Sequence, residues 1–224
     1  ANQNHSDALN NLGTIYSDGK FISRDINKAI HYYLLASNLN NDLADINLGE
    51  IYYKGEYIQR DINKAIYYLT LSANLNNKKA QYNLGVLYYF GKDIQQDINK
   101  AVYYLTLSAN QNFAPAQNNI GYMYYEAKYV KRDMKKAIEY LTSAADQNYD
   151  VSQNILGFIY YEGKYIPRDV NKGIHYLKLA ANQNNPIAQF NLGTIYYDGY
   201  YVVRDMDKSI YYLSLAANQN YAPA

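Results

Sequence analysis

Between Ala44 and Tyr53 the apolar residues Ala44, Leu48, Ile51 and Tyr52 fall at i, i+4, i+7 and i+8, one face of a helix. Gly49 sits inside that stretch, where glycine costs about 1 kcal/mol against alanine. Its presence predicts close approach of a partner helix. Gly55 suits the left-handed residue that ends such a helix. After the loop Glu56-Tyr57-Ile58-Gln59-Arg60, Asp61 is a good N-cap whose charge also suits the helix dipole. The spacing of Ile62, Ala65, Ile66, Leu69, Ser72 and Ala73 then predicts a second helix, with small residues near its end. Asn76-Asn77 breaks it, a role shared in other units with Pro115, Pro186 and Pro223. The stretch from Ala44 to Lys79 therefore reads as an antiparallel helix pair.

That pair is one copy of six. The phrase Ala-x-x-Asn-Leu-Gly starts at Ala8, Ala44, Ala80, Ala116, Ser152 and Ala188, a period of 36 residues without insertion or deletion, and Ala224 opens a further copy. A fixed period of this size marks a solenoid, in which each unit buries its apolar face by stacking on its neighbours. The helix glycine returns as Gly13, Gly85, Gly121, Gly157 and Gly193, and the cap as Asp25, Asp97, Asp133, Asp169 and Asp205. Ala127 replaces the glycine that ends the first helix in the fourth unit, so that turn should be strained or differently built. The expected organisation is a single all-α solenoid over 1–224, with repeats 8–43, 44–79, 80–115, 116–151, 152–187 and 188–223. Residues 1–7 read as the tail of a preceding repeat, since Ala1-Asn2-Gln3-Asn4 aligns with Ala217-Asn218-Gln219-Asn220. Neither end carries the polar capping repeat that such arrays use, so the chain reads as a fragment of a longer repeat protein.

The pattern A-x-x-N-L-G-x-x-Y-x-x-G-x-x-x-x-x-D-x-x-K-A-x-x-Y-x-x-x-A-A resembles the Sel-1-like repeat, a relative of the tetratricopeptide repeat with a longer loop between its helices. The resemblance covers the chain six times over and implies a right-handed superhelix of antiparallel helix pairs. Proteins similar to it act as adaptors in endoplasmic-reticulum quality control, in chitin synthase activation, in bacterial host interaction and beside protein kinase domains. None of these roles supplies a catalytic residue set to carry over.

Composition narrows the function by exclusion. A net charge of +1, with Lys and Arg recurring singly, argues against nucleic acid as partner. No apolar run approaches the ~20 residues of a membrane span, and no signal-peptide pattern opens the chain. The absence of Cys excludes disulfides and thiolate sites. Asn4-His5-Ser6 is an isolated glycosylation sequon, so the cytoplasm is the default compartment. The 30 Tyr against 5 Phe and no Trp do not by themselves mark a binding surface, because Tyr, Asn, Ile and Lys share AT-rich codons. No phosphate loop, zinc motif or Ser-His-Asp arrangement appears, and no cofactor is expected. His31 and His175 occupy one repeat position four units apart, too distant to share a metal. Asp18, Glu126, Glu162 and Asp198 share another and read as a solvated edge.

By resemblance to tetratricopeptide arrays, the first helices line a concave surface. Asn recurs there as Asn11, Asn47, Asn83, Asn119 and Asn191, broken by Ile155. A side-chain amide donates to a peptide carbonyl and accepts from its N–H at once, and some related tetratricopeptide proteins grip a peptide main chain with such a ladder. The competing reading is that these amides bond within the scaffold. Two flanking positions vary between units: Asn10, Ile46, Tyr82, Asn118, Asn154, Phe190, and Thr14, Glu50, Val86, Tyr122, Phe158, Thr194. Variation on such a face is where specificity sits. Tyr53, Tyr89, Tyr125, Tyr161 and Tyr197 add an aromatic stripe that either contacts a partner or packs between units. The expected partner is another protein or peptide segment bound by a non-catalytic scaffold. The alternatives are a structural element that self-associates through its repeat ends, and an accessory module for a catalytic domain, such as a kinase, outside this segment.

Overall fold

The computed structural model describes residues 2–221; Ala1, Pro223 and Ala224, to which the sequence reading assigned a repeat tail, a breaker and a seventh copy, lie outside them. The described residues form twelve helices and no strand. They fall into two compact units, Ala1–Gln111 and Asn112–Ala224. The first holds α1 (Asn2–Asp18), α2 (Ile26–Ser37), α3 (Asp42–Lys54), α4 (Ile62–Asn74), α5 (Lys78–Phe90) and α6 (Ile98–Asn110). The second holds α7 (Ala114–Glu126), α8 (Met134–Ala145), α9 (Asp150–Glu162), α10 (Val170–Asn182), α11 (Pro186–Asp198) and α12 (Met206–Asn218). Odd-numbered helices pair with the even-numbered helix that follows.

Each pair is built by the devices read from the sequence. The carboxylates of Asp25, Asp61, Asp97, Asp133, Asp169 and Asp205 accept from the backbone N–H three residues on, capping every even helix. A Cβ added to Gly49 would lie 2.8 Å from Leu69 Cγ, and one on Gly85 would lie 2.7 Å from Leu105 Cγ. The helix glycines are therefore present because the partner helix leaves no room for a methyl group. Ala127 adopts the same left-handed conformation as its glycine counterparts, with φ of 60°. The turn is thus strained rather than rebuilt. Every even helix ends in a turn whose Asn, from Asn40 to Asn220, has positive φ, the conformation Asn tolerates best after Gly.

Cores run continuously from pair to pair inside each unit. In the first, Ala29, Tyr33, Ala36, Ala44 and Leu48 form one cluster and Ile46, Leu69, Ala73, Ala80 and Leu84 another. In the second, Leu141, Leu156 and Ile159 belong to one cluster and Leu177, Ala181, Leu192 and Ile195 to another. Full burial of each Leu contributes about 1.5–3 kcal/mol. A stacked tyrosine pair joins the helices of each hairpin, as in Tyr52–Tyr68 at 5.8 Å and Tyr160–Tyr176 at 6.1 Å. A Lys amine lies over the first ring of each stack, Lys64 at 5.0 Å and Lys172 at 4.2 Å.

Buried glutamines stitch successive pairs. Gln81 Nε2 donates to Ala73 O and Asn76 Oδ1, both at 3.2 Å, while its Oδ-equivalent, Oε1, accepts from Gln111 Nε2 at 2.7 Å. Gln153 and Gln189 repeat the arrangement, with Gln183 and Gln219 as donors. A second link lies in the loops, where Arg132 stacks over Tyr165 and Arg168 over Tyr201, each at 3.8 Å. In the first unit Arg60 instead meets Asp93, at 2.9 Å, because Asp occupies that tyrosine position.

Candidate binding grooves on the first helices

Where two successive first helices meet, their side chains diverge and leave a groove. Between α3 and α5 a cavity of ≈ 300 Å³ is lined by Gly49, Glu50, Tyr53, Lys54, Leu69, Asn83, Val86 and Leu87. Between α1 and α3 a smaller one of ≈ 190 Å³ includes Ser17, Arg24, Tyr33, Asn47, Glu50 and Lys54. It is polar because Ser17 stands where other units carry Tyr, and Tyr33 where they carry Leu. The Tyr33 hydroxyl donates to Thr14 Oγ1 at 3.2 Å, and burial pushes its pKa up. In the second unit, a cavity of ≈ 290 Å³ between α9 and α11 contains Phe158, Tyr161, Glu162, Phe190, Asn191, Thr194, Asp198, Tyr200 and Tyr201.

The asparagines divide into two kinds. Asn47 Nδ2 donates to Asn10 Oδ1 at 3.0 Å, and Asn191 Nδ2 to Asn154 Oδ1 at 3.1 Å, each across 37 positions. Those amides bond within the scaffold while still bordering a groove. Asn119 Oδ1 accepts from Asn118 Nδ2 at 3.2 Å. For Asn83 the residue 37 positions earlier is Ile46, which offers no amide, and its side chain makes no hydrogen bond to another described residue. Asn83 borders the α3–α5 groove with Tyr53 and Val86.

The first varied series points inward. Asn10, Ile46, Asn118 and Asn154 are buried and Tyr82 half-buried, so their variation follows packing between neighbouring helices, while the half-buried Phe190 borders the α9–α11 groove. The second series borders the grooves, with Glu50, Val86, Phe158 and Thr194 among the lining residues. Tyr122 is exposed and donates to Glu126 Oε1 at 3.1 Å. In the second unit the tyrosine stripe packs against the next repeat's loop: Tyr125 meets Tyr165 edge-on at 6.2 Å and Tyr161 meets Tyr201 at 5.5 Å. Tyr53 donates to Asp93 Oδ2, Tyr89 contacts Phe90 edge-on, and Tyr197 lies under the Arg204 guanidinium.

Glu162 and Asp198 are exposed, as expected of a solvated edge, and with Tyr200 and Tyr201 they border the second-unit groove. The available signal was the recurrence of Tyr in the loop as Tyr57, Tyr129, Tyr165 and Tyr201. His31 and His175 are exposed and rest edge-on against Tyr32 and Tyr176. Among the described residues no group of three or more His, Asp or Glu is arranged to hold a metal, and no helix is long and apolar enough to cross a membrane.

Comparison with solved structures returns the same architecture. A protective antigen present in uropathogenic Escherichia coli strains, described as displaying an SLR fold, superposes with a TM-score of 0.88 at 25% identity over 97% of this chain. This chain spans 46% of that antigen. A Sel1 repeat protein from Oxalobacter formigenes gives a TM-score of 0.83 at 27% identity, covering 96% of this chain and 88% of its own. An immunity protein from Pseudomonas aeruginosa shares the fold at a TM-score of 0.55 and 20% identity, over 96% of this chain and 81% of its own. No curated protein matches the sequence. Six stretches, 6–41, 43–77, 78–113, 114–149, 150–185 and 186–221, match the Sel1 repeat, and with its asparagines, helix glycines and Asp caps in register the chain belongs to the Sel1 repeat family.

Proposed function

We propose that this chain is a non-catalytic scaffold that holds a segment of another protein in the grooves between its first helices. Sel1 repeat proteins are generally protein-interaction scaffolds and generally non-catalytic. The observation that carries the reading is Asn83. Its amide has no bond to another described residue, and it borders an apolar groove beside Tyr53 and Val86. An amide at a groove with no partner among the described residues is free to donate to and accept from a bound main chain, each bond worth about 1 kcal/mol. Asn47 and Asn191 serve the scaffold as well, so replacing them conflates stability with binding. Asn83→Ala separates the two. Affinity capture from lysate of the source, quantified by mass spectrometry, should retain a partner on the wild type and lose it on Asn83→Ala, with helicity and melting temperature unchanged. Equal retention by both proteins overturns the reading.

A further inference from the structure

The groove between α9 and α11 differs in chemistry from the two in the first unit. The α1–α3 groove carries Arg24 and Lys54 against Glu50 and Glu56, and the α3–α5 groove pairs Lys54 with Glu50 at 3.3 Å. In the α9–α11 groove the charged lining residues are Glu162 and Asp198, and the adjacent Arg168 is engaged with main-chain carbonyls and the Tyr201 ring. Phe158, Tyr161, Phe190 and Tyr201 supply the aromatic wall. Phe158 is 44% exposed, Tyr161 only 8%, so the wall runs from the groove mouth to its floor.

Three physical features converge on positive charge. Glu162 is the last residue of α9 and Asp198 the last of α11. Each carboxylate thus sits at the negative end of its helix dipole, where an anion is unfavourable and a cation favourable. Among the described residues neither carboxylate has an ion-pair partner within 4.0 Å; Arg168 bonds to the Tyr161 and Glu162 carbonyls and stacks on Tyr201 instead. Both acids act on the groove floor: burial first, then Glu162, Tyr201 and Asp198, raise the Tyr161 phenol, against a smaller opposing effect of Arg168. Aromatic faces attract a cation through their quadrupole, most strongly when water is displaced.

From this arrangement we infer that the α9–α11 groove is a site for a cationic side chain, the Lys or Arg of a partner segment, held by aromatic faces and by the Glu162 and Asp198 carboxylates. The inference rests on the scaffold function proposed above and names the residue type that anchors the partner in the second unit. The ammonium or guanidinium offsets two unpaired acids, and its aliphatic stem covers Phe158 and Phe190.

The test uses the full chain and small probes, so it needs no partner. Titration with Nα-acetyl-lysine methylamide, followed by ¹H–¹⁵N correlation spectra, should give saturable shifts at Tyr161, Asn191, Asp198 and Tyr201. The Nε-acetylated analogue, which lacks the charge, should bind roughly 3- to 30-fold more weakly. Glu162→Gln combined with Asp198→Asn should erase that difference. Phe158→Ala should weaken both probes. Equal binding of charged and neutral probes, or no saturable shift at these amides, overturns the cationic site while leaving the capture experiment on Asn83 untouched. Conversely, loss of the scaffold reading in that capture experiment would not move these shifts.

Discussion

The turn from α4 into α5 and the turn from α2 into α3 share a backbone course and differ in one buried side chain. At the first, Gln81 bonds to Ala73 O, Asn76 Oδ1 and Gln111. At the second, the same repeat position holds Asp45, 1% exposed, whose Oδ1 accepts from Ser37 Oγ at 2.5 Å. Leu75 occupies the position of Gln111, so no amide reaches it. Burial first pushes Asp45 up to about 6, Asp42 adds to the rise, and the Ser37 bond opposes it. A neutral amide has as many donors and acceptors as its site, whereas a buried carboxylate holds a charge that its surroundings do not compensate. The scaffold therefore tolerates either residue geometrically but couples only the α2–α3 junction to pH.

Breaking the glutamine side of this comparison should have the largest effect. Gln81→Leu breaks three hydrogen bonds at about 1 kcal/mol each, about 3 kcal/mol in urea unfolding, although Gln111 Nε2 keeps Asn76 Oδ1 at 3.1 Å and Ala73 O keeps the Asn76 N–H. A loss under about 1 kcal/mol would mean that water replaces the amide and that the stitch is dispensable.

The pH dependence comes next. Because Asp45 binds its proton more tightly in the folded chain than unfolded, its contribution is full below about pH 4 and is lost as pH rises through about 6, by up to about 3 kcal/mol. Asp45→Asn should flatten that segment of the stability profile relative to wild type. The difference between the two proteins matters, since Asp93, held low chiefly by its bond to Arg60, drives stability the opposite way at lower pH. Parallel profiles between pH 4 and 7 would show that Asp45 is solvated in solution.

The smallest effect sharpens the point that one backbone accepts different residues at different cost. Ala127 holds φ at 60° where Gly19, Gly55, Gly91, Gly163 and Gly199 stand in other repeats. Left-handed geometry costs a non-glycine residue about 1–2 kcal/mol, and glycine returns part of that as entropy of the unfolded chain. Ala127→Gly should stabilise by about 0.5–1 kcal/mol, a rise of roughly 2–4 °C in melting temperature per kcal/mol for a chain of this size. Unchanged or lower melting would place the strain elsewhere.

Local pattern was enough for the hairpins. Apolar spacing, the Asp caps and the glycines at Gly49 and Gly85 each concern residues within one repeat, where helix geometry converts spacing directly into a face. The period of 36 then implied stacking without any knowledge of partners. Much less of the candidate site was legible, because its contacts join repeats at offsets that packing sets. Gln81 finds Gln111 across 30 positions and Asn47 finds Asn10 across 37, and identical recurring asparagines become scaffold bonds or an unbonded amide according to the facing residue. Glu162 and Asp198 share one repeat position that reads as a solvated edge, and both are exposed. Only the stacking of α11 on α9, which brings two helix C-termini and an aromatic wall around one cavity, turned those two charges into a shared feature, since electrostatic and aromatic contacts depend on distance in space rather than along the chain.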